Sequence, residues 1–175
     1  MRSPTGSPAR SSTPAAAQAN TPCSSPPGAT GSPASTSWTR RSGGPRAKAA
    51  ERGLAAEFLV KDALTLGEWG ERFTSVIDSG LFHVFSDDDR RRYVQGLARV
   101  LVPSGRLFLM CFSDEEPGQE GPRRVSRQEF YDTFADGWEV ESVQPSQFDI
   151  NSEFTEVKFS EGGPKAWFAV VRRKG

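Results

Sequence analysis

No Leu, Val, Ile or Phe occurs before Leu54, and no acidic residue before Glu51. This asymmetry decides which part of the chain can fold. Ordering a residue costs roughly 1–2 kcal/mol of backbone entropy, which only buried apolar surface can offset. The early stretch consists mostly of Ser, Pro, Ala, Thr and Gly, and eight of the 13 prolines lie in it. Residues 1–45 are therefore expected to form a disordered leader, and residues 46–175 to carry the fold. Charge divides at the same place. Six of the 22 basic residues precede Glu51, leaving 16 to face all 22 acidic residues in the remainder. A basic leader thus precedes a mildly acidic part of ordinary single-domain size.

Several function classes drop out on composition. Cys23 lies in the leader and Cys111 in an apolar run, and the pair makes neither a disulfide framework nor a zinc spacing. A reducing, cytoplasmic setting is the default. No stretch approaches the ~20 apolar residues of a membrane-spanning helix. The leader's scattered basic residues lack the clustering and aromatic interleaving of a nucleic-acid surface.

The remainder reads as alternating strands and helices. Glu57–Lys61 is a short apolar run ending at Asp62, and Thr74–Ile77 is another, ending at Asp78, Ser79 and Gly80. Ser86 followed by three aspartates is a strong helix start, joining an N-cap hydroxyl to carboxylates at the positive end of the dipole. Tyr93, Leu97, Val100 and Leu101 then recur on one face. Pro103-Ser104-Gly105 stops that helix, and Arg106–Phe112 follows as an unalternating apolar strand, typical of burial on both faces. Ser126 and Glu129 form a capping box with Phe130 and Phe134 behind it. Trp138–Val143 and Lys165–Val171 close the chain as strands. The class expected is α/β with a mostly parallel sheet. Ligands in such sheets sit beyond the carboxyl ends of the strands, where Asp62 and Asp78 are placed. His83, the only histidine, follows the second acid closely enough to act on a bound acceptor as a general base, or else to pack as a loop imidazole on Phe82 or Phe85.

The segments AAERGLAAEFLVKDAL, VIDSGLFHVFSDDDRRRYVQGLARVL, PSGRLFLMCFSD and GPRRVSRQEFYDTFADGWEVESV carry a resemblance. From about Arg46 to Arg173 the chain resembles the C-terminal two-thirds of a class I S-adenosylmethionine-dependent methyltransferase of the thiopurine and tellurite-resistance type. The resemblance implies a Rossmann-like sheet in the order 3-2-1-4-5-7-6, with S-adenosylmethionine as cofactor and a small-molecule acceptor. It implies Asp62 and Ala63 beside the adenine, Asp78 and Ser79 near the methionine portion, and Phe82 and His83 on the acceptor side. Neither nucleic acid nor membrane is an expected partner. Methyl transfer from a sulfonium is mainly in-line positioning, so it requires no base and no metal.

The family pattern lacks its strongest part. No glycine-rich loop precedes Leu54, nor an acid some twenty residues further on for the ribose hydroxyls. Strands one and two of the sheet are therefore expected to be absent, leaving a partial methyltransferase domain with an open strand edge. The leader is compatible with out-of-frame translation of a GC-rich coding sequence. Shifted by two bases, suitable codons for Ser12–Asn20 allow a glycine-rich loop, and those for Ala29–Thr36 allow a strand ending in an acid. Two functions follow: a methyltransferase impaired in cofactor binding, or a non-catalytic relative acting through chain–chain contact.

Overall fold

The computed structural model describes residues 45–149 and 159–175. The expectations for the leader, its glycine-rich reading and Cys23 lie outside the described residues. A short helix α1 (Pro45–Glu51) leads through Leu54–Lys61 to a 3-10 turn, Ala63–Glu68. Then come β1 (Phe73–Ser79), a 3-10 turn at Phe82–Val84, α2 (Asp87–Val100), β2 (Leu101–Phe112), α3 (Arg127–Thr133), β3 (Trp138–Gln147) and β4 (Lys165–Arg173). No described helix is long and apolar enough to cross a membrane.

The four strands form one sheet in the order β1-β2-β4-β3. The resemblance implies this order for its last four positions, 4-5-7-6. Only β1 and β2 pair in parallel, joined by α2 as the crossover, whereas β4 is antiparallel to both neighbours. The sheet is therefore mixed rather than mostly parallel. β4 inserts between β2 and β3 and runs antiparallel to both, so the parallel part of the sheet is limited to β1 and β2.

One expected strand does not form. Glu57–Lys61 joins no ladder, and Leu59 and Val60 stand 53 % and 99 % exposed. Its apolar run is real, but among the described residues no neighbouring strand offers it hydrogen bonds, and a lone strand gains nothing from being extended. The outer edge of β1 is likewise unpaired among the described residues, with Ile77 47 % exposed.

The predicted helix starts hold. Ser86 Oγ accepts from Asp89 N–H, and Ser126 and Glu129 exchange both bonds of the capping box. Tyr93, Leu97 and Val100 of α2, with Phe130 and Phe134, cover Leu107, Leu109 and Cys111 of β2 and Ala169 and Val171 of β4. The opposite face of β2, Phe108 and Met110, is only half-buried, so burial on both faces is not realised. Helix α2 ends at Val100, ahead of Pro103, and Pro103-Ser104-Gly105 becomes a bulge in β2. The register with β1 jumps there from Phe73↔Leu101 to Ser75↔Arg106. Ser104 takes a φ of 63°, and a Cβ on Gly105 would lie 2.8 Å from Val102 O.

Candidate functional site

The parallel pair β1 and β2 defines the mouth where an α/β sheet binds ligands. Asp78 lies there but faces inward. Its Oδ1 accepts from Leu81 N–H at 2.8 Å and Phe82 N–H at 3.4 Å, and its Oδ2 accepts from the Tyr93 hydroxyl at 3.0 Å. Burial raises its pKa to about 6, against the lowering effect of those donors. Asp78 thus shapes the turn that presents Ser79 and Gly80, and Ser79 is exposed.

Asp62 behaves differently. It is exposed and caps the 3-10 turn through Oδ1, which accepts from Leu64 N–H at 2.9 Å. Ala63 behind it is buried. The turn docks on α2 at Gly96, where a Cβ would sit 2.8 Å from Leu66 Cβ. The two acids share no hydrogen bond; each serves its own loop.

Phe82 and His83 point in different directions. The Phe82 ring is fully buried, stacked 5.9 Å from both Phe130 and Phe134, with the Arg90 guanidinium 4.3 Å above it. That environment is core, not acceptor cleft. His83 is buried at the end of β2, where the Phe112 N–H donates to Nδ1 at 2.8 Å. With that lone pair engaged, the neutral imidazole carries its hydrogen on Nε2. Burial, and then the charges of Arg124 and Arg90, push its pKa down to about 4. His83 therefore presents an N–H donor, and not the free lone pair a general base needs.

Around His83 the rings of Phe112 and Phe148 lie 5.0 and 6.2 Å away, and Phe159 stands 5.8 Å from Phe112. Arg124 covers Phe112 at 5.1 Å. Its guanidinium donates to five backbone carbonyls, of Glu116, Pro117, Gly118, Glu120 and Pro122, and so holds the loop after β2. Glu116 ties that loop to the segment before β4 by accepting from Ser160 N–H at 3.0 Å and Lys165 N–H at 2.7 Å. A cleft of about 370 Å³ opens between them, lined by Glu115, Ser146, Gln147 and Lys165. Arg90 was not legible in the sequence, where it reads as one more charge on a helix. It is buried, bonds Glu129 at 2.9 Å, and with Arg123 and Asp87 links the starts of α2 and α3. Its spacing after Ser86 places it one turn into α2, which gives no hint of burial.

Asp78 and His83 set opposite pH dependences. The raised Asp78 pKa favours the folded state as pH falls through about 6, whereas the lowered His83 pKa favours it as pH rises from about 4 through 6.5. Between pH 7 and 5 the two nearly offset. In urea denaturation, His83→Gln is expected to gain about 1 kcal/mol on going from pH 7 to 5, and Asp78→Asn to lose about 2 kcal/mol. Parallel pH curves for the two variants would contradict this assignment.

The thiopurine S-methyltransferase family model matches residues 48–170. The 2-heptyl-1-hydroxyquinolin-4(1H)-one methyltransferase of Mycobacteroides abscessus is 30% identical over 129 residues, covering 72% of this chain and 55% of that protein. A human probable tRNA methyltransferase 9B is 38% identical over 66 residues, 37% of this chain and 14% of its own length. A solved structure from work on the conversion of a disulfide bond into a thioacetal group during echinomycin biosynthesis superposes with a TM-score of 0.59. It is 34% identical, over 74% of this chain and 60% of that one. The chain thus spans little more than half the length of the Mycobacteroides relative that it matches.

Proposed function

The chain belongs to the thiopurine S-methyltransferase family, and on that premise we propose that its folded part is the acceptor-side portion of an enzyme transferring a methyl group from S-adenosylmethionine to a small molecule. The observation that carries this reading is the parallel β1–β2 mouth, where the Ser79–Gly80 turn, His83 and Phe112 converge. The residues present fit half of the cofactor. Asp62 is exposed, its Oδ2 bonds no described residue, and Ser79 and Gly80 leave the turn open. When bound, S-adenosylmethionine supplies an electrophilic methyl carbon on sulfur. Asp62 and Ala63 would hold its adenine, while Ser79 and Gly80 would hold the methionine side. Asp78 fixes that turn from behind, and Phe82 anchors it in the core.

The sequence before Leu54 holds no glycine-rich loop of the family's kind, so cofactor binding by this chain is expected to be weak. Calorimetric titration of S-adenosylhomocysteine into the purified chain should give no saturable heat at micromolar concentrations. A chain whose first 45 residues are re-read in the shifted frame should bind it. Micromolar affinity in the original chain would refute the impairment, and no binding by the re-read chain would refute the methyl-donor reading.

A second reading has its own observation. Leu54, Leu59, Val60 and Ile77 are four of the six exposed large apolar side chains among the described residues, and all lie on β1 or the segment before it. Under that reading the chain acts by pairing its β1 edge with another chain. Light scattering on a size-exclusion peak decides, since a monomer at tens of micromolar removes it.

A further inference from the structure

The two edges of the sheet differ in how they are guarded. The β3 edge carries Glu139, Glu141 and Pro145, and its register slips between Val140 and Ser142. Charge, proline and bulges are the usual defences against pairing with another chain. From Ser75 to Ser79 the β1 edge has no proline and no register slip. Its single charged residue, Asp78, is turned inward to Tyr93 and the turn amides. The Gly80 N–H donates to Met110 O, so by the alternation of a strand the N–H and C=O groups of Ser75, Ile77 and Ser79 point to the open side. Their side chains share the sheet face opposite α2 and α3, where Ile77 lies beside Phe108 and is 47 % exposed.

We propose that this edge pairs with the same edge of a second copy of the chain, antiparallel about a two-fold axis at Ile77. The pairing rests on the second reading above, in which the chain works through its β1 edge, and adds the partner and the register. A two-fold axis sets the same surface against itself, which a charged edge resists and an uncharged one does not. Centred on Ile77, it puts Ser75 opposite the partner's Ser79, and Ile77 opposite the partner's Ile77. All three positions send their backbone groups outward, so each facing pair exchanges two hydrogen bonds. Ile77 gains an apolar neighbour and the serines gain hydroxyl neighbours on the same face. A different protein would find no charge on this edge to steer or select it.

Disulfide trapping tests the register. In the full chain with Cys23→Ser, Cys111 stays buried, so an introduced cysteine is the reactive thiol. Ile77→Cys sets two Cα atoms about 5.5 Å apart across the axis, within the roughly 4.4–6.8 Å span of a disulfide. Ser75→Cys and Ser79→Cys each hold theirs about 14 Å apart. Mild oxidation should link Ile77→Cys roughly tenfold more than either of them, and a mixture of Ser75→Cys with Ser79→Cys should link where neither does alone. Ile77→Lys sets two charges face to face. It should be monomeric by light scattering at tens of micromolar, where the parent chain is a dimer, and should keep the parent's urea midpoint. A dimer that links at Ser75 alone or at Ser79 alone would overturn the Ile77 axis and leave the edge reading standing. A monomeric parent chain, or a dimer that survives Ile77→Lys and links at none of the three positions, would overturn both. None of these readouts uses S-adenosylmethionine or a methyl acceptor, so they leave the enzymatic reading to its own test.

Discussion

Phe82→Ala is expected to destabilise the fold by about 3–5 kcal/mol, the range for emptying a fully buried aromatic site. The ring is stacked between Phe130 and Phe134, so its loss opens a cavity that α3 cannot close without leaving its capping box. It also removes the π face beneath Arg90, whose Nε and Nη2 have no hydrogen-bond partner among the described residues. Domains of this size hold only about 5–15 kcal/mol in total, so the loss removes about a fifth of it or more. Urea denaturation followed by tryptophan fluorescence measures the loss. The resemblance to the methyltransferases instead puts Phe82 on the acceptor side. If that were its main role, Phe82→Ala would impair acceptor binding and leave the urea midpoint within about 0.5 kcal/mol of wild type.

Gly163→Ala should be comparably severe, above about 3 kcal/mol. Gly163 has a φ of 117°, and a Cβ there would lie 2.1 Å from the Phe148 carbonyl oxygen, a backbone atom that cannot swing aside. Gly162 is a built-in control. Its φ is 83°, but its added Cβ would meet only the Gln147 side-chain amide at 3.2 Å. Gly162→Ala is therefore expected to cost about 1–2 kcal/mol, mostly backbone strain. Thermal unfolding of both variants tests the pair, and equal midpoints would show that the Phe148 contact yields more easily than its geometry implies.

Local chemistry was the legible part of this fold. Ser86 with its three aspartates, and Ser126 with Glu129, act within one turn, and no distant partner can overrule them. The face of α2 carrying Tyr93, Leu97 and Val100 was readable for the same reason. Glu57–Lys61 reads as a strand yet forms none, because a strand depends on a neighbour, and an apolar run cannot say whether one is there. Pro103-Ser104-Gly105 was read as a stop, whereas it forms a bulge whose shape depends on Thr74 across the sheet. Position along the chain singles out Asp62, Asp78 and His83 as candidates, but not the directions of their side chains. Asp78 turns toward Tyr93, fifteen residues away, and His83 meets a backbone N–H from a strand twenty-nine residues away. Side-chain direction in both cases is settled by tertiary neighbours, which spacing along the chain does not encode.

The Arg124 guanidinium grips its loop by carbonyl oxygens alone. Every residue type supplies the same carbonyl, so this grip sets no demand on the side chains of Gln119 or Glu120, whereas Glu116 is held by its carboxylate and Gly118 and Gly121 by their positive φ. Substitutions at those two positions change the rim of the neighbouring cleft while the wall itself stays in place. Arg124 is the exception, since a lysine has one charged point where the loop requires a planar fork.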